Sequence, residues 1–444
     1  MGTTTGDIKF GRAFGEKHFM FKPGYITGSY GAYPRQVRDA LRSVQDEIQA
    51  APDGFVRFVY PERLKVVRHL LADFLRADVD EVVIVPNATI GLNAVLRNLV
   101  FKPGDRVAYV KGIYGAIEKT VDYLAETTPV ASVCIEFDLI ADDDEKLLRC
   151  FRSTLDRYKN QVKVAIFDTV MSMPGLRMPF ERLAQTCKDY GVLSVIDAAH
   201  GIGLIDLDLR SLEADFLVTN CHKWLFVPHT CAVLYVARRN QHLMRSSIPT
   251  SHGFQPLPDI VREKQYISAY EASESTNPFV YQFEYTGTID NGPPLCVPSA
   301  LEFRKTVCGG ERHVRDYCQL LARDGEALAV KLFGTEALRI SESKRVAFAN
   351  VRLPLQFSSK VDDGTLSCIP IADAGLVLNL LLRRLRDDYD TFVNIAFVSG
   401  SLWARFSAMI YLELEDFEYG ATALKALCTR VSEGDYRVSH DEAA

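Results

Sequence analysis

From residue 81 to about residue 237, short apolar runs alternate with amphipathic segments of helical periodicity. Several runs are apolar nearly throughout, which is typical of strands that helices cover on both faces. This alternation predicts an α/β fold with a mostly parallel sheet and right-handed crossovers. The predicted strands are Val82–Val85, Arg106–Val110, Ala131–Phe137, Lys163–Val170, Leu193–Ile196, Phe216–Thr219 and Ala232–Val236.

The rest of the chain has a different character. Residues 245–298 are rich in Ser, Pro, Tyr and Glu and predict long functional loops. Helical and strand-like patterns return from Ala300, and a chain of 444 residues exceeds what one hydrophobic core usually supports. We therefore expect a large ligand-binding domain over 51–299 and a small α+β domain over 300–444. Residues 1–50 are expected to pack with the small domain.

Composition and charge exclude several classes of function. Lys and Arg total 51 against 57 Asp and Glu, so no basic surplus favours nucleic acid or an anionic membrane as partner. No apolar run approaches the roughly 20 residues of a spanning helix, and neither end resembles a signal peptide. The ten cysteines form no CxxC pair, which argues against a zinc site. The chain is long and is not expected to be secreted, which argues against a disulfide framework. We expect a soluble, cytoplasmic protein without a metal.

Chemically useful side chains follow five of the predicted strands. In open α/β sheets, ligands bind beyond the carboxyl ends of the strands. A helix N-terminus, an aromatic ring, carboxylates, histidines and one lysine should therefore share one rim. This combination suits a flat, anionic, heteroaromatic ligand better than a metal or a nucleotide. The groups are Ala88-Thr89, Tyr114, Asp168 with Ser172, Asp197 with His200, and Cys221-His222-Lys223-Trp224.

Two motifs resemble those of class V, fold-type I pyridoxal-phosphate enzymes. They are Asp197-Ala-Ala-His200 and Thr219-Asn-Cys-His-Lys-Trp224, with 26 residues from the aspartate to the lysine. Further segments are similar to the isopenicillin N epimerase-like group, and within it to fungal hercynylcysteine sulfoxide lyases. These segments are Pro86-Asn-Ala-Thr-Ile-Gly-Leu-Asn93, Phe167-Asp-Thr-Val-Met-Ser172, Pro249-Thr-Ser-His-Gly253 and Gly287-Thr-Ile-Asp290. The similarity runs from about residue 20 to residue 430.

The resemblance implies pyridoxal 5′-phosphate as the cofactor and a role for each matching residue. Lys223 would hold the cofactor covalently, which needs a partly desolvated, deprotonated amine. Asp197 would keep the pyridine nitrogen protonated, although a strand-end aspartate is otherwise most often a turn former. The phosphate would rest on the amides of Ala88 and Thr89 at a helix N-terminus. The other expected cofactor contacts are Tyr114, stacked on the ring, Ser172, His200, His222, and Thr288 from the second subunit of a homodimer.

The resemblance also implies a small amino-acid substrate. Arg405 matches the arginine that clamps the substrate carboxylate, a task that suits its two-pronged guanidinium. Ser29, Tyr30 and Tyr60 are expected to line the same substrate site. The chain departs from the group at Ile26-Thr27, where an Asn-His pair is usual, and at Leu412. These departures leave the cofactor residues intact, but they weaken the inference that the substrate is the same as in the group.

The expected reaction is cleavage of a Cβ–S bond in a cysteine-derived amino acid or its sulfoxide. Lys223 would remove the Cα proton and Tyr114 would supply a proton to the leaving group. Three alternatives remain open: Cγ substitution or cyclisation as in loline-type alkaloid metabolism, Cα epimerisation, and a catalytically inactive relative. Cys221 is interpreted as a structural residue.

Overall fold

A computed structural model describes residues 8–20, 29–138, 143–257, 277–358 and 368–438. Its strands are β1 (Val82–Val85), β2 (Arg106–Val110), β3 (Ala131–Ile135), β4 (Val162–Asp168), β5 (Leu193–Asp197), β6 (Phe216–Asn220), β7 (Ala232–Val236), β8 (Phe348–Arg352), β9 (Phe357–Ser358), β10 (Ile369–Pro370), β11 (Asn394–Val398) and β12 (Ser401–Ser407).

Helices surround these strands along the whole described chain. They are α1 (Arg12–His18), α2 (Arg35–Ala50), α3 (Pro52–Gly54), α4 (Tyr60–Leu75), α5 (Ala88–Asn98), α6 (Gly115–Thr127), α7 (Asp144–Arg157), α8 (Phe180–Tyr190), α9 (Leu209–Leu212), α10 (Cys221–Trp224), α11 (Pro278–Glu284), α12 (Gly292–Leu295), α13 (Val297–Glu302), α14 (Glu311–Phe333), α15 (Ala374–Tyr389), α16 (Leu414–Ser432) and α17 (Asp435–Val438). Two π-helical stretches, Phe55–Val59 and Phe303–Val307, adjoin α4 and α13.

A seven-stranded sheet forms the centre of the molecule, in the order β1-β7-β6-β5-β4-β2-β3. The five strands from β2 to β6 pair in parallel, whereas β7 is antiparallel to both of its neighbours. β1, β6 and β7 are buried throughout, as their unbroken apolar runs predict. The predicted α/β fold with a mostly parallel sheet is therefore confirmed.

The strand ends set the geometry of the candidate site. Because β4, β5 and β6 are parallel neighbours, their carboxyl ends lie on one rim and carry Asp168, Asp197 and Asn220. Two predicted strands end earlier than expected: the strand from Lys163 stops at Asp168, and the strand from Ala131 stops at Ile135. The polar residues after Asp168 leave the sheet and become available to the site.

A second, three-stranded antiparallel sheet has the order β11-β12-β8. Its central strand, β12, places Arg405 opposite Asn350 of β8 and Asn394 of β11. Helices α14 and α16 pack against each other beside this sheet. Strand β12 ends at Ser407, and Ala408–Leu412 leaves the ladder while remaining buried.

Two further expectations concern the cysteines and membranes. All ten cysteines are free thiols in the structure, and seven of them are buried. Cys221 is fully buried. Within the described ranges, no helix combines the length and the apolar character needed to cross a bilayer.

Candidate active site

Two carboxylates share the rim at the centre of the sheet. Asp168 ends β4 and Asp197 ends β5, and the two residues are direct partners in the parallel register. Both side chains are buried, and burial raises the pKa of each; the charge of Asp197 raises the pKa of Asp168 further. Asp197 accepts a hydrogen bond of 2.8 Å from the Ala199 amide, which favours its ionised form. Oδ1 of Asp168 is buried without a hydrogen-bond partner among the described residues.

Lys223 lies next to this pair, on the short helix α10 that follows β6. Burial lowers the pKa of Lys223 to about 8, and Arg405 lowers it too, while Asp197 and Asp168 oppose the shift. Nζ of Lys223 lies 3.0 Å from Nε2 of His200. A lysine with this pKa is neutral in a far larger fraction near neutral pH than an ordinary lysine, and a neutral amine is what a nucleophilic or basic role requires.

Arg405 reaches the site from the second sheet. Its guanidinium is 1% exposed, and burial lowers its pKa to about 10. It donates to Oγ of Ser29 at 2.7 Å and to the carbonyl oxygen of Ser172, and it lies over the Phe348 ring. No carboxylate among the described residues pairs with it. A buried cation without a counter-ion is costly, so this guanidinium suits an anionic ligand group.

An asparagine fixes the loop beside Arg405. Both polar atoms of the Asn350 amide bond to the backbone of Gly175, each at 2.9 Å. A Cβ atom at Gly175 would lie 2.5 Å from the Phe348 ring and 2.9 Å from Cδ of Arg405. This close approach accounts for the glycine, and it ties the loop that carries Ser172 to the second sheet.

The predicted phosphate position is the N-terminus of α5. The Asn87 side chain caps the helix by accepting from the Ile90 amide at 2.9 Å. The Ala88 amide was predicted to be free, but in the structure it donates to Oδ1 of Asn220 at 2.9 Å. The Thr89 amide, which lies between these two amides, donates a hydrogen bond to neither the Asn87 side chain nor the Asn220 side chain. The expectation that the Ala88 amide faces an anion is corrected on this point.

Three other predicted cofactor residues surround this rim with different exposures. Tyr114 is the N-cap residue of α6 and is 48% exposed. His222 is buried against His229, with 5.4 Å between ring centroids, and burial lowers its pKa to about 4. Thr288 is exposed, and its hydroxyl lies 3.4 Å from the Tyr285 hydroxyl. Thr288 has no described contact with Lys223 of the same chain.

The N-terminal segment closes one side of the site. Gly31 packs so tightly on the backbone of His222 and Lys223 that an added Cβ would lie 2.1 Å from the His222 oxygen. The preceding Tyr30 accepts a hydrogen bond from His229 through its carbonyl and leaves its ring 69% exposed. Residues 26–28, which include the unusual Ile-Thr pair, lie outside the described residues.

Tyr60 differs from the other predicted substrate residues. It is buried at the start of α4, and its hydroxyl interacts with the Asn291 side chain. Burial raises its pKa to about 12. No described hydrogen bond or ring contact joins Tyr60 to Lys223 or Arg405, so its assignment to the substrate site stays a prediction.

Three residues that organise the site had no role assigned to them from the sequence. Asn220 joins β6 to the start of α5, Trp224 donates its indole N–H to His200 at 3.1 Å, and Asn350 holds Gly175. Asn220 and Trp224 flank the lysine in sequence, which was an available clue. Asn350 lies in an unremarkable apolar strand, and only the tertiary fold brings it to the site.

Known proteins share this fold and much of this sequence. The family described as aminotransferase class-V matches residues 59–265. "L-cysteine desulfhydrase-like protein lolT1" of Epichloe uncinata is 36% identical over 96% of this chain and 97% of its own. "Hercynylcysteine sulfoxide lyase" of Schizosaccharomyces pombe is 29% identical over 93% and 97%. A structure of the "cystine C-S lyase C-DES" superposes with a TM-score of 0.68 at 14% identity, covering 91% of this chain and 97% of that one.

The fold and the site together define a pyridoxal-phosphate-dependent enzyme. The chain belongs to the aminotransferase class-V family. The residues fit the cofactor: a lysine of lowered pKa adjoins a buried carboxylate, and Nδ1 of His222 is buried without a hydrogen bond of normal geometry among the described residues. The predictions of the family, the cofactor and an enzymatic function are confirmed.

Proposed function

We propose that the enzyme is a lyase that cleaves the Cβ–S bond of a cysteine-derived amino acid or its sulfoxide. The observation that carries this proposal is the buried guanidinium of Arg405, which pairs with no carboxylate among the described residues and lies close enough to Lys223 to lower its pKa. An α-amino acid whose carboxylate pairs with Arg405 would present its Cα proton toward the Lys223 amine. The names of the similar proteins, L-cysteine desulfhydrase-like and hercynylcysteine sulfoxide lyase, support sulfur as the leaving atom.

The cofactor, when bound, withdraws electrons from the substrate Cα. Lys223 would hold the cofactor and then accept the Cα proton on Nζ. Asp197 would hold a proton on the ring nitrogen, a role that its buried, partly stabilised carboxylate supports. Tyr114 would donate its hydroxyl proton to the departing sulfur group, and its exposed position leaves room for a substituent there.

The remaining predicted residues would hold the two ligands in place. The phosphate would be bound by Thr89, His222 and the first turn of α5. Ala88 would form part of this turn without donating its amide to the phosphate, because that amide bonds to Asn220. Ser172 and His200 would lie near the phenolic oxygen of the ring. Ser29, Tyr30 and Tyr60 would shape the substrate site, with Ser29 acting through its bond to Arg405.

We also propose a homodimer with shared active sites, in which Thr288 contacts the cofactor of the other subunit. The exposure of Thr288, away from Lys223 of its own chain, supports this arrangement. A cytosolic location is proposed as well. The ten free thiols support it, because unpaired cysteines persist in reducing compartments.

Incubation of the holoenzyme with S-substituted cysteines, their sulfoxides and O-acetylhomoserine tests the proposal. We expect pyruvate and the sulfur product from the cysteine derivatives, and no product from Lys223→Ala. Pyruvate formation requires loss of the group on Cβ, so it separates elimination from the alternatives. A substitution product from O-acetylhomoserine alone would favour Cγ chemistry, and racemisation without elimination would favour epimerisation. Either result without pyruvate would overturn the proposal.

A further inference from the structure

A chain of two hydrogen bonds ends on the amine of Lys223. Nε1 of Trp224 donates to Nδ1 of His200 at 3.1 Å, and Nε2 of His200 lies 3.0 Å from Nζ of Lys223. His200 and Trp224 are each 3% exposed, so water does not compete for these bonds. The edge of Phe348 packs against both rings, with centroids 5.5 Å and 5.3 Å away, and keeps them in place.

The direction of the first bond determines the direction of the second. An indole N–H can only donate, so Nδ1 of His200 must be the unprotonated acceptor. A neutral imidazole then carries its proton on Nε2, the atom that faces Lys223. An Nε2–H group needs a lone pair at the other end of a 3.0 Å contact. A neutral amine has that lone pair, whereas an ammonium group has only N–H donors.

We propose that Trp224 is a positioning residue: by donating to His200 it selects the imidazole tautomer that holds Lys223 as a free amine. This inference rests on the proposed role of Lys223 as the residue that holds the cofactor. Only the neutral amine attacks the cofactor's aldehyde. The nitrogen forms a C=N bond, gives up its two protons, and the aldehyde oxygen leaves with them as water.

The groups around His200 and Lys223 have opposite effects on the pKa values of these two residues. Burial lowers the His200 pKa well below its ordinary value, and Lys223 and His222 of α10 and Arg405 of β12 lower it further. Asp168 and Asp197, from β4 and β5, attract an ammonium at position 223 and raise the Lys223 pKa. Without the bond from Trp224, His200 could present an unprotonated Nε2 to an ammonium group. The bond therefore opposes the pull of the two carboxylates.

The second tryptophan of the chain provides a matched control. Trp403 is buried to a similar degree, 5% exposed, but its indole N–H has no hydrogen-bond partner among the described residues. Trp403→Phe thus removes a buried indole elsewhere in the molecule. Trp224→Phe removes the N–H donor while keeping an aromatic ring beside His200 and Phe348.

The test measures how fast the full-length protein, stripped of cofactor, captures pyridoxal 5′-phosphate as a function of pH. We expect the wild type and Trp403→Phe to share one profile. Trp224→Phe should be about fivefold to tenfold slower near pH 7, in keeping with the loss of one hydrogen bond, and equally fast at high pH. A merely structural defect would slow capture at every pH. An unshifted profile for Trp224→Phe, or equal slowing at every pH, would overturn the proposal.

A second measurement needs no change at position 224. In Trp403→Phe the fluorescence comes from Trp224 alone, because the chain contains two tryptophans. The emission of the cofactor-free protein should stay constant as the pH falls through 6.5, the ordinary pKa of histidine, because His200 remains neutral. A transition near that pH would show that His200 takes up a proton and would refute the tautomer assignment. If the wild type captures no cofactor at any pH, the role of Lys223 fails, whereas the fluorescence still tests the hydrogen bond.

Discussion

Asp168 stands directly beside Asp197 at the ends of two neighbouring parallel strands, and both carboxylates are buried. Asp197 has the Ala199 amide as a partner, whereas Oδ1 of Asp168 has none among the described residues. Two neighbouring buried carboxylates repel each other when both are ionised. Asp168 is accordingly the carboxyl group whose pKa is raised well above its ordinary value, by burial first and by Asp197 second.

The first prediction is that Asp168→Asn stabilises the cofactor-free protein at alkaline pH. Below the unfolded-state pKa, about 3.9, both states hold the proton and Asp168 has no effect on stability. Above it the unfolded state ionises while the folded state resists, so the wild type loses stability as the pH rises. Asp168→Asn removes this loss. Denaturant unfolding should show a gain of about 1 kcal/mol or more near pH 8 and a smaller gain near pH 5.

The control for this prediction is Asp122→Asn. Asp122 is an exposed residue of α6 that pairs with Lys119 on the surface. Its replacement should change the free energy of unfolding by less than about 0.5 kcal/mol at either pH. A gain for Asp168→Asn that is the same at both pH values would contradict the raised pKa.

A second prediction concerns the Asn350 amide and Gly175. Asn350→Ala removes two buried hydrogen bonds and leaves the Gly175 N–H and carbonyl unpaired. We expect a loss of about 2–4 kcal/mol in the free energy of unfolding and a lower kcat/KM, because the Ser172 loop supports Arg405. Asn379→Ala, which removes an exposed helix-surface bond to Gly375, is the matched control. Equal stability of the two variants would refute the role of Asn350.

The sheet was predictable from sequence because its strands are buried on both faces and therefore apolar along their length. The predicted bounds of β1, β2 and β7 agree with the structure. The strands that lead into the site were predicted less well. Lys163–Val170 was expected to continue past Asp168, since Thr169 and Val170 favour strands, yet the chain leaves the sheet there to form the site.

The candidate site was predictable where it is local in sequence. His200, Lys223 and Asp197 follow strand ends and carry recognisable motifs, so their proximity followed from the topology of a parallel sheet. The hydrogen bond from the Ala88 amide to Asn220 joins residues that are 132 positions apart. The hydrogen bonds between Asn350 and Gly175 join residues that are 175 positions apart. Such contacts depend on tertiary packing, which periodicity does not encode.

A third prediction tests Arg405 as the carboxylate-binding residue. Arg405→Lys keeps the positive charge but loses the two-pronged geometry. We expect kcat/KM to fall about 10- to 100-fold, mainly through a higher KM, while cofactor absorbance is retained. Arg352→Lys is the control, because Arg352 lies on the neighbouring strand and pairs with Glu336 away from the site. An unchanged KM in Arg405→Lys would show that the substrate carboxylate binds elsewhere.

A fourth prediction separates the two proton transfers. Tyr114→Phe should retain the cofactor and the exchange of the substrate Cα proton with solvent deuterium, because Lys223 is untouched. Release of the sulfur product should fall about 100-fold, the usual contribution of a general acid. Tyr123→Phe, on the exposed face of α6 under Arg97, should behave as the wild type. Loss of deuterium exchange in Tyr114→Phe would instead assign that tyrosine to the first proton transfer.

The most direct test of the account is to locate the covalent attachment of the cofactor. The holoenzyme is reduced with borohydride, digested, and the modified peptide is sequenced by mass spectrometry. We expect one phosphopyridoxyl group, on Nζ of Lys223, and none in the Lys223→Ala protein treated in the same way. A reduced cofactor on any other lysine, or wild-type protein that carries none, would contradict the proposed site and the mechanism built on it.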